Sequence, residues 1–125
     1  MIILVISLVI IFFALYEPKF NDDMPPMLSA KYSSKSWSIT GHTFEICGKV
    51  VSLDDFTEKG WFEQRFASNA ELRMSEFENV YHGFNSKYNP IHVQNLHFFE
   101  KESNGCTMRA AVHPITKETY IYISM

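Results

Sequence analysis

From Met1 to Tyr16 the chain carries no charged side chain, and Ser7 is the only strongly polar residue in the run. Coiled as a helix, sixteen residues rise about 24 Å, against a hydrocarbon core of about 30 Å that asks for roughly 17–25 residues. Tyr16 at the interface and Lys19 reaching back toward headgroups lengthen the usable span, and modest bilayer thinning covers the remainder. A cleaved signal would need a basic start and small residues ahead of the cut. No Lys or Arg precedes Lys19, and the run closes on Ala14-Leu15-Tyr16. Burial in the core is the competing reading, but a helix apolar on every side suits lipid better than the interior of a small domain.

The expectation is an uncleaved single-pass anchor over residues 1–17, touching membrane lipid through Ile2, Ile3, Leu4, Val5, Ile6, Leu8, Val9, Ile10, Ile11, Phe12, Phe13, Leu15 and Tyr16. Lys19, Lys31 and Lys35 stand among Glu17, Asp22 and Asp23 beyond the run, so the positive-inside rule leans weakly toward a cytoplasmic domain. N-terminal anchors that hold domains outside, together with the cysteines, lean the other way. The expected location is the membrane, with the domain extracytoplasmic (periplasmic).

Residues 18–36, with Pro25-Pro26 and a Ser/Lys-rich stretch, read as a tether, and residues 37–125 as one domain. All 11 basic and 14 acidic residues follow the run, so the domain's formal charge is the whole chain's −3. That balance, with Lys and Arg scattered singly, argues against a nucleic-acid partner and against a polybasic lipid patch. Cys47 and Cys106 match no metal-ligand spacing. In an oxidising compartment they are candidates for a disulfide; the alternative is two buried thiols.

Period-two alternation predicts an antiparallel hairpin from Ser36 to Leu53, with Phe44, Ile46 and Val50 on one face and Glu45, Cys47 and Lys49 on the other. A helix is expected over Asp54 to Ala67, weakened at Gly60. The capping box Ser68-Asn69-Ala70-Glu71 starts a second, running to about His82 with the stripe Ala70, Met74, Phe77, Tyr81 and Phe84 and a stop at Gly83. Three strands follow: Ile91 to Lys101, Cys106 to His113 and Thr119 to Ser124, the first two joined by Asn104-Gly105. The fold class is α+β: an N-terminal transmembrane helix, then a sheet made of the hairpin and a C-terminal meander, with two helices on one face. This order of parts resembles small membrane-tethered envelope domains, secretion accessories and immunity proteins among them, in architecture alone.

The chemistry-bearing residues point away from catalysis. The histidines His42, His82, His92, His97 and His113 lack close ligand spacing, and His92 and His97 fall on opposite faces of a strand. A thiol nucleophile needs a nearby base, and Cys106 with His113, like Cys47 with His42, has the wrong parity. Asp54, Asp55 and Glu58 suit a helix start. No phosphate-binding loop or Gly-x-Ser-x-Gly is present, and no catalytic residue, metal or cofactor is expected. The aromatic excess directs attention to binding: Tyr120 and Tyr122 on a last strand read as a sheet edge, with Phe98 and Phe99, form the candidate face for a protein partner in or near the membrane. The expected function is a membrane-anchored, non-enzymatic protein-binding module. An aromatic cavity for a small ligand or lipid, lined by Phe62, Phe66, Phe77 and Phe98, is the alternative, and a Cys-dependent enzyme the least favoured.

Overall fold

The computed structural model describes residues 23–37, 42–103 and 105–124. The anchor expected over residues 1–17 lies outside them; among the described residues no helix is long and apolar enough to cross a membrane. The fold is α+β. One antiparallel sheet of six strands has the order β1-β2-β6-β5-β4-β3. Its strands are β1 (Met27–Trp37), β2 (His42–Val50), β3 (Phe62–Gln64), β4 (His97–Ser103), β5 (Cys106–Val112) and β6 (Glu118–Ser124). Three short helices accompany it: α1 (Asp54–Glu58), α2 (Asn69–Arg73) and α3 (Glu78–Lys87).

The last strand is central. Thr-Tyr-Ile-Tyr-Ile alternates two kinds of bulky side chain that suit a pleated sheet covered on both faces. Tyr120 and Tyr122 turn toward α3, while Ile121 and Ile123 join the opposite core. β6 pairs with β2 through Ile46↔Ile121 and with β5 through Ala110↔Ile121. The reading of β6 as an edge is therefore overturned; among the described strands β1 and β3 are the edges. β1 and β2 pair as an antiparallel hairpin whose first strand begins at Met27 rather than near Ser36, and the three C-terminal strands form a meander whose first strand begins at His97 rather than Ile91. Gly105, at φ 78°, takes the left-handed conformation its turn requires.

The two cores divide the helices. Phe66, Leu72, Phe77, Val80, Phe84, Phe98 and Ala111 pack under α2 and α3. On the other face Ile46, Phe56, Trp61, Phe99, Met108 and Ile121 cluster, with α1 supplying Phe56, stacked on Phe99 at 4.4 Å between ring centroids. Only α2 and α3 share a face, and α1 covers the other.

Several boundaries move for local reasons. The helix expected over Asp54 to Ala67 ends at Glu58; Gly60, at φ 87°, reverses the chain, and the Trp61 amide donates back to the Phe56 carbonyl. Residues 62–64 then pair with β4 instead of continuing the helix. Ser68 caps α2 by accepting from the Glu71 amide, but the Glu71 carboxylate returns to the Ala67 amide, not to that of Ser68. The long helix expected to follow is two, because the Ser75 hydroxyl donates to the Leu72 carbonyl and accepts from the Phe77 amide, competing with the helix ladder. Met74 in that break is 91 % exposed, and of the expected apolar stripe only Phe77 and Phe84 are buried, with Tyr81 half-buried between them.

The expected tether is largely structured. Residues 27–36 belong to β1, and the chain before them is fixed to the domain. The Asp23 carbonyl accepts from Trp61 Nε1 at 2.7 Å, its carboxylate pairs with Lys101 Nζ at 2.8 Å, and Met24 is buried in the α1-side core.

Candidate functional site

Glu45 is the one charged residue among the described residues that the fold buries, at 7 % exposure. Burying a carboxylate is costly unless it is paired and hydrogen-bonded, so its surroundings identify where this sequence spends stability on polar chemistry. Strand parity puts Glu45 and Cys47 of β2 on the α3 side, opposite Tyr122 and Tyr120 of β6. The Tyr120 hydroxyl donates to Glu45 Oε2 at 2.6 Å, and Lys87 Nζ, from the last turn of α3, lies 3.2 Å from Glu45 Oε1. Each carboxylate oxygen thus has a partner, one buried and one at the rim.

The helix reaches this depth because Gly83 has no side chain. A Cβ built there would stand 2.3 Å from Cε1 and Cζ of Tyr120, well inside contact distance. Gly83 is therefore not the helix stop expected from the sequence; it lies inside α3 as the point where helix and tyrosine meet. Just past α3, the Tyr88 hydroxyl donates to the Thr119 carbonyl at 2.9 Å and to that of Gly48 at 3.2 Å. Burial, then the neighbouring Cys47, pushes the Tyr88 phenol up to about 12. Burial and then the Glu45 hydrogen bond and charge raise Tyr120 further still. Both phenols are held as proton donors at neutral pH. The cluster acts as a clamp that fastens α3 across β2 and β6; a phenol so held is neither a base nor a nucleophile.

Two smaller polar groups lie elsewhere. His97 Nδ1 is 2.5 Å from Glu63 Oε1, and its Nε2 is 3.0 Å from Arg65 Nη1. A guanidinium only donates, so Nε2 is the acceptor and Nδ1 carries the proton given to Glu63. Arg65 also donates to the Gln94 carbonyl, which ties the β3 edge to the chain entering β4. Arg109 bonds Glu76 at 2.5 Å, lies 3.6 Å from Glu100 and sits over the Phe77 ring. Its Nε is buried without a hydrogen-bond partner. Among the described residues no group of three His, Cys, Asp or Glu side chains could hold a metal ion.

The residues proposed from the sequence as a binding face do not form one. Tyr120, Phe98 and Phe99 are buried, with only Tyr122 half-buried, because β6 and β4 are interior strands. Phe98 and Phe99 moreover point to opposite cores. Cys47 packs against the α3-side core and Cys106 lies in the α1-side core, so the fold sets the two cysteines on opposite faces of the sheet. Phe66, Phe77 and Phe98 pack against one another at 5.1–5.7 Å between centroids, while Phe62 is 77 % exposed and lies apart from them. Sequence reasoning missed Glu45, Gly83, Lys87 and Tyr88. The available signal was the parity of Glu45 with Cys47 and, on β6, of Tyr120 with Tyr122, which marks a half-polar interior once β6 is central.

No protein-family model matches the chain, and neither a curated protein nor a solved structure matches it.

Proposed function

We propose that this chain is a single-pass membrane protein whose small α+β domain is a non-enzymatic protein-binding module, working close to the bilayer as an accessory or inhibitor of a membrane-associated partner. The observation that carries the reading is the run Met1 to Tyr16, uncharged throughout and followed after six residues by Asp23, itself bonded to Trp61 and Lys101. Support for binding over catalysis comes from the polar side chains: Glu45, Tyr120, Lys87 and Tyr88 are committed to holding α3 on the sheet. The side chains available to a partner are the exposed apolar ones, Phe62, Met74, Leu28, Val51 and Ile115, in place of the buried Tyr120, Phe98 and Phe99. The formal charge of −3 disfavours nucleic acid. With Cys47 and Cys106 apart, the redox argument for an extracytoplasmic domain falls, and a topology reporter fused to the C-terminus assigns the side.

The test is fractionation of cells making the full chain. It should sediment with membranes, resist alkaline carbonate and be released by detergent. A photo-crosslinking residue in place of Phe62 or Met74 should then give one discrete adduct, absent when the same residue replaces buried Phe99. Recovery in the aqueous fraction defeats the anchor, and a smear without a discrete adduct defeats the binding module.

A further inference from the structure

Given the membrane anchor just proposed, on which this step rests, we infer that the corner formed by Lys59, Gly60, Trp61, Phe62 and Lys101 is the bilayer-facing surface of the domain. The reason is where the chain is caught. Asp23 is held from two sides: its carbonyl by Trp61 Nε1 at 2.7 Å, and its carboxylate by Lys101 Nζ at 2.8 Å. Lys101 also donates to the Lys59 carbonyl, so the α1–β3 turn and β4 share the grip. Met24 and Pro25 behind it are buried. The domain therefore hangs from this corner and not from the start of β1.

The chain between the apolar run and this corner is short. From Tyr16 to Asp23 there are seven residue steps, at most about 25 Å when fully extended and about 15 Å as a flexible coil. A domain of this size has a radius of gyration of about 13 Å, so a string shorter than the domain's own diameter fixes which side approaches lipid. Phe62, 77 % exposed beside Trp61, places an aromatic ring there, a residue type suited to the headgroup boundary. The opposite end of the sheet carries Ile115, 83 % exposed in the turn between β5 and β6. Met108 is the residue of β5 paired with Lys101, and Val112 lies four residues, about 13 Å, further along before that turn begins. Charge does not drive the approach: Lys101 is paired with Asp23, and Lys59 stands among Asp54, Asp55 and Glu58 along the chain. The occupant is accordingly a neutral lipid surface, held near by chain length.

The test places the full, isotopically labelled chain in nanodiscs of phosphatidylcholine containing a headgroup nitroxide lipid, and reads amide line broadening by NMR. Broadening should be several-fold stronger at residues 59–62 and 101 than at residues 115–117, and replacing a third of the lipid by phosphatidylglycerol should not increase it. Twelve Gly/Ser residues inserted between Asn21 and Asp22 should level the two ends. Equal or reversed broadening in the native chain overturns the inference, as does a contrast that survives the insertion. Failure of the anchor itself looks different: the protein then elutes free of the discs with an unbroadened spectrum.

Discussion

Replacing Gly83 with Ala tests the clamp at its tightest point. The new methyl carbon would sit 2.3 Å from two ring carbons of Tyr120, where carbon atoms settle at about 3.5–4.0 Å, so helix or ring must move by more than an ångström. The ring is not free to yield, because its hydroxyl is bonded to Glu45 at 2.6 Å. Overpacking costs about 1–3 kcal/mol. Loss of a hydrogen bond to a charged group adds about 1.5–3 kcal/mol, and the better helix propensity of Ala returns about 1 kcal/mol. The net expectation is destabilisation by about 1.5–5 kcal/mol, which for a domain near 100 residues, at about 4–8 °C per kcal/mol, lowers Tm by about 6–40 °C. The assay is urea and thermal unfolding of the full chain in mild detergent, followed by near-ultraviolet circular dichroism. Gly83→Ala in a Tyr120→Leu background should cost far less, giving a coupling energy above about 1 kcal/mol. Unchanged or raised stability of Gly83→Ala, or strict additivity with Tyr120→Leu, refutes the packing of α3 on Tyr120.

Further outcomes follow from the same geometry. Tyr88 keeps its proton to about 12 in the folded chain and only to its ordinary 10 when unfolded, so its contribution is intact below pH 10 and lost as pH rises toward 12. Urea midpoints from pH 8 to 12 should fall over that window, less steeply in Tyr88→Phe, with Tyr120 acting in the same direction. Thiol titration in denaturant should count two thiols per chain before and after mild oxidation; a monomer crosslinked between Cys47 and Cys106 would contradict the sheet register. Ser68→Ala removes the acceptor for the Glu71 amide and should cost about 1 kcal/mol by chemical denaturation, whereas Ser68→Asp should cost little.

The elements that were legible in the sequence are those fixed by neighbours in the chain. The turn at Gly105, the alternation of Cys106 to Val112 and Glu118 to Ser124, and the Ser68 cap depend on local chemistry, and each recurs in the fold with small shifts of boundary. What was not legible depends on partners far away in sequence. Phe62 to Gln64 has helical spacing with Phe66, but pairing with β4 and the reversal at Gly60 decide its conformation. Residues 27–36, rich in Ser and Lys, read as a linker because their strand character comes from β2. Gly83 reads as a helix terminator, since nothing local announces Tyr120, a residue 37 positions further on, as the reason for it.

The misreading of β6 had the largest functional consequence, and its cause is topological. A C-terminal strand joined to its predecessor by a tight turn is an edge in a simple meander. Here the first hairpin returns and pairs β2 with β6, closing contacts such as Tyr120 to Glu45 across 75 residues. That pairing turns Tyr120 and Tyr122 from a candidate partner face into the floor beneath α3 and moves the open edges to β1 and β3. β1 limits its own availability with register shifts between Leu28 and Lys31 and between Ser34 and Ser36. β3 has three residues, so it offers little backbone for strand addition. On the binding function proposed above, contact with a partner falls to exposed side chains such as Phe62 and Met74 rather than to a sheet edge, and Phe62 lies beside the corner at which Asp23 is held. With the proposed anchor in place, a partner contacting Phe62 would meet it at the level of the lipid, which favours one that is itself embedded in or laid upon the membrane.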